Sequence, residues 1–260
     1  MATERLGRAD GHSEKGLNET LRLLCKWRSV LLQNTLTKSE GTTVGGGPLS
    51  GLKFLSQSSE GCHIAKLLGT YEQPLHPFIE EAISKEYEYV VNIGSAEGYY
   101  AVGMARKMEK TIVHTFDIDE NARHACSHLA AKNNVSERIA ISGHFDHKDF
   151  GSYASTNSLV ICDIEGGEQS LLDPVKAPAL KNLDLIVESH ECLVPGITDR
   201  LVKTFSDSHE ILKIDDDGTR DLSQAPAWIN KLSHLDQLLC VWEWRTGPTP
   251  WLVMRSRARS

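Results

Sequence analysis

The chain has 260 residues, 40% of them hydrophobic and 24% charged, with a formal net charge of -7. That length can bury a full core and that composition is ordinary for a globular protein, while the acidic balance argues against a phosphate-backbone partner such as nucleic acid. No apolar run approaches a membrane span, the N-terminus is too polar for a signal peptide, and six cysteines show neither C-x-x-C nor paired spacing, so a reduced, cytoplasmic protein is expected.

Residues 1–16 are polar and expected to fray. Over 17–36, Leu21, Leu24, Trp27, Val30 and Leu31 recur at helical spacing, which predicts a leading helix. Gly45-Gly46-Gly47-Pro48 breaks that pattern; 49–54 reads as one strand of a short hairpin and 77–85 as a helix. From Tyr89 onward, strand and helix patterns alternate, the mark of a parallel sheet covered on both faces. Strands are expected over 89–93, 111–116, 138–142, 158–162, 183–187, 209–214 and 250–255, and helices over 98–108, 120–132, 168–173 and 197–206. The last two strands need no crossover helix, which allows an antiparallel pair at the sheet edge, although 226–239 could insert one. The division that follows is an N-terminal extension and cap over 1–76 and an α/β domain over 77–260. Arg255, Arg257 and Arg259 read as a solvated tail.

Val90-Val91-Asn92-Ile93 runs into Gly94-Ser95-Ala96-Glu97-Gly98, and the strand after the next helix closes on Asp117, nineteen positions beyond Gly98. A strand delivered into a Gly-bounded turn lets a ligand approach backbone N–H groups, and an acid on the next strand tip can accept hydrogen bonds from ribose hydroxyls. A dinucleotide site wants G-x-G-x-x-G for its pyrophosphate. Here Glu97 occupies the turn; it would repel a pyrophosphate but could pair with an amino or sulfonium group. There is no ATP-type G-x-x-x-x-G-K-[ST] loop either. S-adenosylmethionine, with a ribose, a positive sulfur and no phosphate, suits the turn; a purely structural βα turn is the plain alternative.

The fourth strand ends in Asp163-Ile164-Glu165-Gly166-Gly167-Glu168 and the fifth in Glu188-Ser189-His190-Glu191. Adjacent strand tips bring Asp163, Glu165, Glu188 and His190 together beside the turn, and converging titratable groups are often functional. His190 is the first candidate for a general base, and Glu168 reads as a helix N-terminal charge. A divalent metal held by Asp163, Glu188 and His190 competes with this and ranks below a base or orienting role. After the third strand, Phe145 or Asp146 could touch adenine, whereas His124 and His128 read as a solvated helix face. Lys66 to Glu72, with Gly69 inside it, reads as a lid over cofactor or substrate.

At these residues the chain resembles class I S-adenosylmethionine-dependent methyltransferases, and within them the FkbM-like group. The matching stretches lie within about 77–215: Val91 to Tyr100, Thr115-Phe116-Asp117 and, most distinctive, Asp163 to Glu168. The resemblance implies a Rossmann-like seven-stranded sheet of order 3-2-1-4-5-7-6 with the seventh strand antiparallel. It also implies that Gly94, Ser95, Glu97 and Gly98 surround the methionine end of the cofactor, that Asp117 holds the ribose, and that Asp163 lies near the transferred methyl. Asn92 stands where the family pattern often has an acid; its amide can still donate to the cofactor carboxylate. The first 75 residues resemble capping elements that select substrate. The expected activity is O-methylation of a small-molecule or glycan hydroxyl, with His190 and Asp163 or Glu165 taking the proton. Two rivals are a nicotinamide-dependent oxidoreductase, opposed by the absent glycine pattern and by Glu97, and a non-catalytic nucleoside-binding module, opposed by the intact acidic cluster. Methyl acceptors are selected by loops and caps, which the fold does not fix.

Overall fold

The most continuous apolar runs become the middle of one sheet. In the computed structural model, which describes residues 1–8, 10–58 and 61–259 (the side chain of Arg259 excepted), the N-terminal part forms α1 (Ala2–Leu6), α2 (Glu14–Glu40), α3 (His63–Leu68) and α4 (His76–Lys85). Then follow β1 (Tyr89–Ile93), α5 (Tyr99–Lys107), β2 (Ile112–Phe116), α6 (Glu120–Lys132), β3 (Ile139–Ser142) and β4 (Ser158–Cys162). The chain ends with α7 (Glu168–Leu171), β5 (Asp184–Glu188), α8 (Ile197–Phe205), β6 (His209–Ile214), α9 (His234–Val241) and β7 (Trp251–Ser256).

The strand order is β3-β2-β1-β4-β5-β7-β6, with β7 antiparallel to both of its neighbours and the other pairs parallel. This is the Rossmann-like order of seven strands, with the seventh antiparallel, that the resemblance implies. Every residue of β4 and β5 is buried, as strands covered on both faces require, while the edge strand β3 alternates between half-buried and exposed positions and β6 exposes Glu210, Leu212 and Lys213. Side-chain alternation divides the core into two layers. Val90, Leu159, Ile161 and Ile186 face the layer built with α5 and α3, and Val91, Ile93, Val160 and Val187 face the layer that α8 closes with Leu201 and Phe205.

Several expectations are corrected. The leading helix runs from 14 to 40 because the Ser13 hydroxyl accepts the Gly16 N–H at its start. Its expected apolar face is not the buried one: Ser29, Leu32 and Leu36 are buried, whereas Leu21, Leu24 and Trp27 are exposed. Residues 49–54 form no strand beyond one antiparallel bridge, Thr43 to Lys53. Arg255 is not in a solvated tail; it lies within β7 and its guanidinium meets Glu81 at 2.6 Å. The Arg259 side chain lies outside the described residues.

Candidate active site

A cavity of about 510 Å³ opens at the carboxyl ends of β1, β2 and β4, lined by Gly94, Phe116, Asp117, Phe145, Asp163 and Glu165 among others. This is the edge where the strand order reverses between β1 and β4, the place where an open α/β sheet leaves a crevice. Gly94 is required by close approach: its φ is +76°, and a Cβ there would lie 1.5 Å from the Asp163 carbonyl oxygen.

Beyond Gly94 the turn fixes Asp117. The Ala96 N–H donates to Asp117 Oδ2 and the Asp119 N–H to Oδ1, both at 2.8 Å. Each oxygen keeps a lone pair, so the partly exposed carboxylate is preset to accept hydroxyls. Phe116 and Phe145 meet edge to face, 4.7 Å between centroids, and form an apolar wall beside it. Asp146 does not line the cavity; it forms a capping box with Asp149 on the turn that follows.

Four other expected turn contacts lie off the cavity. Asn92 is buried and alternates with Ile93, so it faces the opposite layer. The Ser95 hydroxyl is buried and makes no hydrogen bond among the described residues. Gly98 opens α5 with its Cα packed where a Cβ would meet Cys126 Sγ at 2.6 Å. Glu97 points inward and is fully buried, its Oε1 accepting from Lys66 Nζ and from the Ser58 hydroxyl, each at 2.6 Å. The ammonium sits over the rings of Tyr71, Tyr99 and Phe54 at 4.9, 5.7 and 6.0 Å. Burial would raise the Glu97 pKa, but the charge and hydrogen bond of Lys66 outweigh it and hold the group at about 2. The lid expected at Lys66 to Glu72 is therefore interior structure: all of α3 is buried, and so is Glu72.

On the far side of the cavity the two strand tips meet. His190 is 4% exposed, and its Nδ1 lies 2.7 Å from Glu168 Oε1, which also accepts the Gly166 N–H at 3.1 Å. Glu168 opens α7 as its reading as a helix N-terminal charge expects, but it is wholly buried and also orients the imidazole. A carboxylate on Nδ1 assigns the proton to that nitrogen and leaves Nε2 facing Asp163 Oδ1 at 3.5 Å and Glu165 Oε2 at 3.4 Å. Burial lowers the His190 pKa, but the Glu168 hydrogen bond and the charges of Glu188, Glu168 and Glu165 raise it further, so the net shift is upward. His190 sits behind Asp163 and Glu165, which line the cavity. One donor atom from each of the three falls within 4.8 Å of the others, compact enough for a shared cation.

Glu188 has a different partner. It pairs with the Arg245 guanidinium, which also holds Glu72 at 2.9 Å and Glu243 at 3.0 Å. The Tyr100 hydroxyl donates to Glu72. Burial and the Glu188 charge push the Glu72 pKa up to about 8, and burial with Glu188 and Glu72 nearby holds Asp163 well above the usual carboxylate range. Arg245 was not singled out in the sequence, and Glu72 only as the end of the expected lid. The loop before β7 brings Arg245 over the β5 tip, where the Ser189 N–H donates to the Pro250 carbonyl at 2.8 Å. His124 and His128 are exposed, away from this region.

No protein-family model matches the sequence, and no curated protein matches it. Solved structures do resemble it. One is the O-methyltransferase TomG from Streptomyces achromogenes in complex with SAM: 12% identity, 74% of this chain and 82% of that chain covered, TM-score 0.49. Another is an O-methyltransferase from Bacillus cereus in complex with SAH: 11% identity, 68% and 77% covered, TM-score 0.46. A putative caffeoyl-CoA O-methyltransferase from Staphylococcus aureus gives 13% identity, 53% and 76% covered, TM-score 0.43. The fold rests on the strand order itself, and fold does not fix function.

Proposed function

We propose that the chain is an S-adenosylmethionine-dependent methyltransferase of FkbM-like type, acting on the hydroxyl oxygen of a small molecule or glycan. The observation that carries this is the cavity. An acid fixed by two backbone amides stands beside an aromatic wall, with a centre of titratable groups opposite it. These residues fit the cofactor: Asp117 suits the ribose hydroxyls, Phe116 and Phe145 the adenine, and the acidic wall of Asp163 and Glu165 the cationic end. Glu97, engaged with Lys66, has no part in this assignment. When bound, the cofactor supplies an electrophilic methyl group. The chain's own residues align the acceptor and remove its proton, with Asp163 and Glu165 at the cavity wall and His190 Nε2 behind them. The acceptor side is assigned to the 1–76 extension and the loop before β7, which meet at Glu72 and Arg245.

S-adenosylhomocysteine should bind and raise the melting temperature, as a native-state ligand does. Asp117→Ala should weaken that binding by about 1–3 kcal/mol in calorimetric titration, because it removes a charged acceptor. Equal thermal shifts with NAD, and none with S-adenosylhomocysteine, would overturn the proposal.

A further inference from the structure

Four of the apolar positions of α2 that the sequence marks out, Leu21, Leu24, Trp27 and Leu31, are left uncovered in line with Leu17, while Val30, 36% exposed, lies off that line. Leu17, Leu21, Leu24, Trp27 and Leu31 are between 37% and 60% exposed and form one stripe along the helix. Leu235 and Leu238 of the adjoining α9 add to it, at 63% and 51% exposed. Together these side chains expose roughly 700 Å² of apolar surface, more than the ~300–600 Å² of the largest patch on a typical monomer. The whole chain exposes 12760 Å², against about 11,300 Å² expected for a monomer of its mass.

The spacing identifies the occupant. Counted from Leu24, the five positions of this stripe fall at -7, -3, 0, +3 and +7, so the stripe reads the same in both directions. A stripe of that kind is complementary to itself when two helices run antiparallel, which is the condition for an isologous two-fold contact. Leu24 then meets the partner's Leu24 on the axis, Leu21 meets the partner's Trp27, and Leu17 meets the partner's Leu31. A lipid surface is the poorer match, because membrane-lying helices present basic residues to headgroups. Here Arg22 bonds the Trp244 carbonyl, Lys26 lies over the Trp244 ring, and Arg28 is paired with Asp236. We infer that the protein is a homodimer built on an antiparallel α2–α2 contact centred at Leu24.

The test is sedimentation velocity of the full chain at micromolar concentration. Wild type should be dimeric. Leu24→Glu and Leu24→Lys, which each set like charges against themselves on the axis, should weaken association by about 30-fold or more. Both variants should melt near the wild-type temperature, since the position is on the surface. An equimolar mixture of the two should restore the dimer at low salt, because opposite charges then meet. A monomeric wild type, a dimer untouched by either variant, or a mixture that stays monomeric would each overturn the inference. So would a wild-type monomer that binds anionic vesicles through Leu24, which would assign the face to lipid. None of these readouts depends on methyl transfer.

Discussion

Replacing Glu97 with Ala should lower the unfolding free energy by about 3–5 kcal/mol, the range for breaking one side of a buried ion pair. The reason is Lys66, 3% exposed among aromatic rings, which loses the carboxylate it holds at 2.6 Å. Lys66→Met alone should cost a similar amount, and the double variant Lys66→Met/Glu97→Leu should recover much of the loss, since an apolar pair of similar volume needs no compensation. The pH dependence has a defined sign. Glu97 titrates at about 2 in the folded chain, below the unfolded value near 4.3. Its contribution, on the order of 3 kcal/mol, is thus fully present above about pH 5 and lost as pH falls toward 2. Urea unfolding of wild type and Glu97→Gln at pH 7 and pH 3 measures this: the gap between them should narrow on acidification. If Glu97→Ala is as stable as wild type but binds S-adenosylhomocysteine far more weakly, the carboxylate belongs to the cofactor after all.

The central sheet was legible because buried parallel strands are continuous apolar runs, and β1 and β4 appear at their expected positions. The antiparallel ending was legible too, since 209–214 and 250–255 needed no crossover. What failed depended on contacts distant in sequence. Lys66 to Glu72 looked like a lid because charged groups and Gly69 stand in it, yet Lys66 is buried by a partner thirty-one positions away. In α2 the apolar periodicity was real, but the fold buries a neighbouring face through Ser29 and Leu32. Periodicity reports that a face wants cover, not which partner covers it.

The site shows the same division. Gly94, Asp117, Phe145, Asp163 and Glu165 line the cavity because strand-tip positions follow from strand register alone. Glu97 does not, because the turn carries positive φ at Ala96 (+45°) and Gly98 (+90°), and those two residues rotate the intervening side chain inward. Glu168 and Glu188 find partners that their local sequence does not show, for a related reason. Glu188 reaches Arg245, fifty-seven positions on, and Glu168 folds back under its own loop to hold His190. No local pattern distinguishes an acid that caps a helix from one that turns beneath it.

His190→Ala should reduce turnover by roughly 10²–10⁴-fold while affinity for S-adenosylhomocysteine stays near wild type, because His190 lies behind the cavity wall. The base must be neutral to accept a proton, so the rate should rise with pH through a pKa above the usual histidine range, in keeping with the upward shift from Glu168 and its neighbours. Stability runs the other way. A histidine whose pKa is raised on folding contributes stability that is complete below its unfolded pKa and is lost as pH rises through the folded one. Activity should therefore appear over the same pH window in which that contribution disappears. Glu168→Gln tests the positioning role separately: it keeps an acceptor for Nδ1 but removes the charge, so the kinetic pKa should fall toward the ordinary histidine value. Chelators should leave the rate unchanged. If chelation abolishes activity and a divalent ion restores it, the Asp163, Glu165 and His190 donors hold a cation and the base assignment fails. If His190→Ala and Asp163→Ala both retain full activity, neither residue takes the proton, and catalysis rests on aligning the acceptor alone.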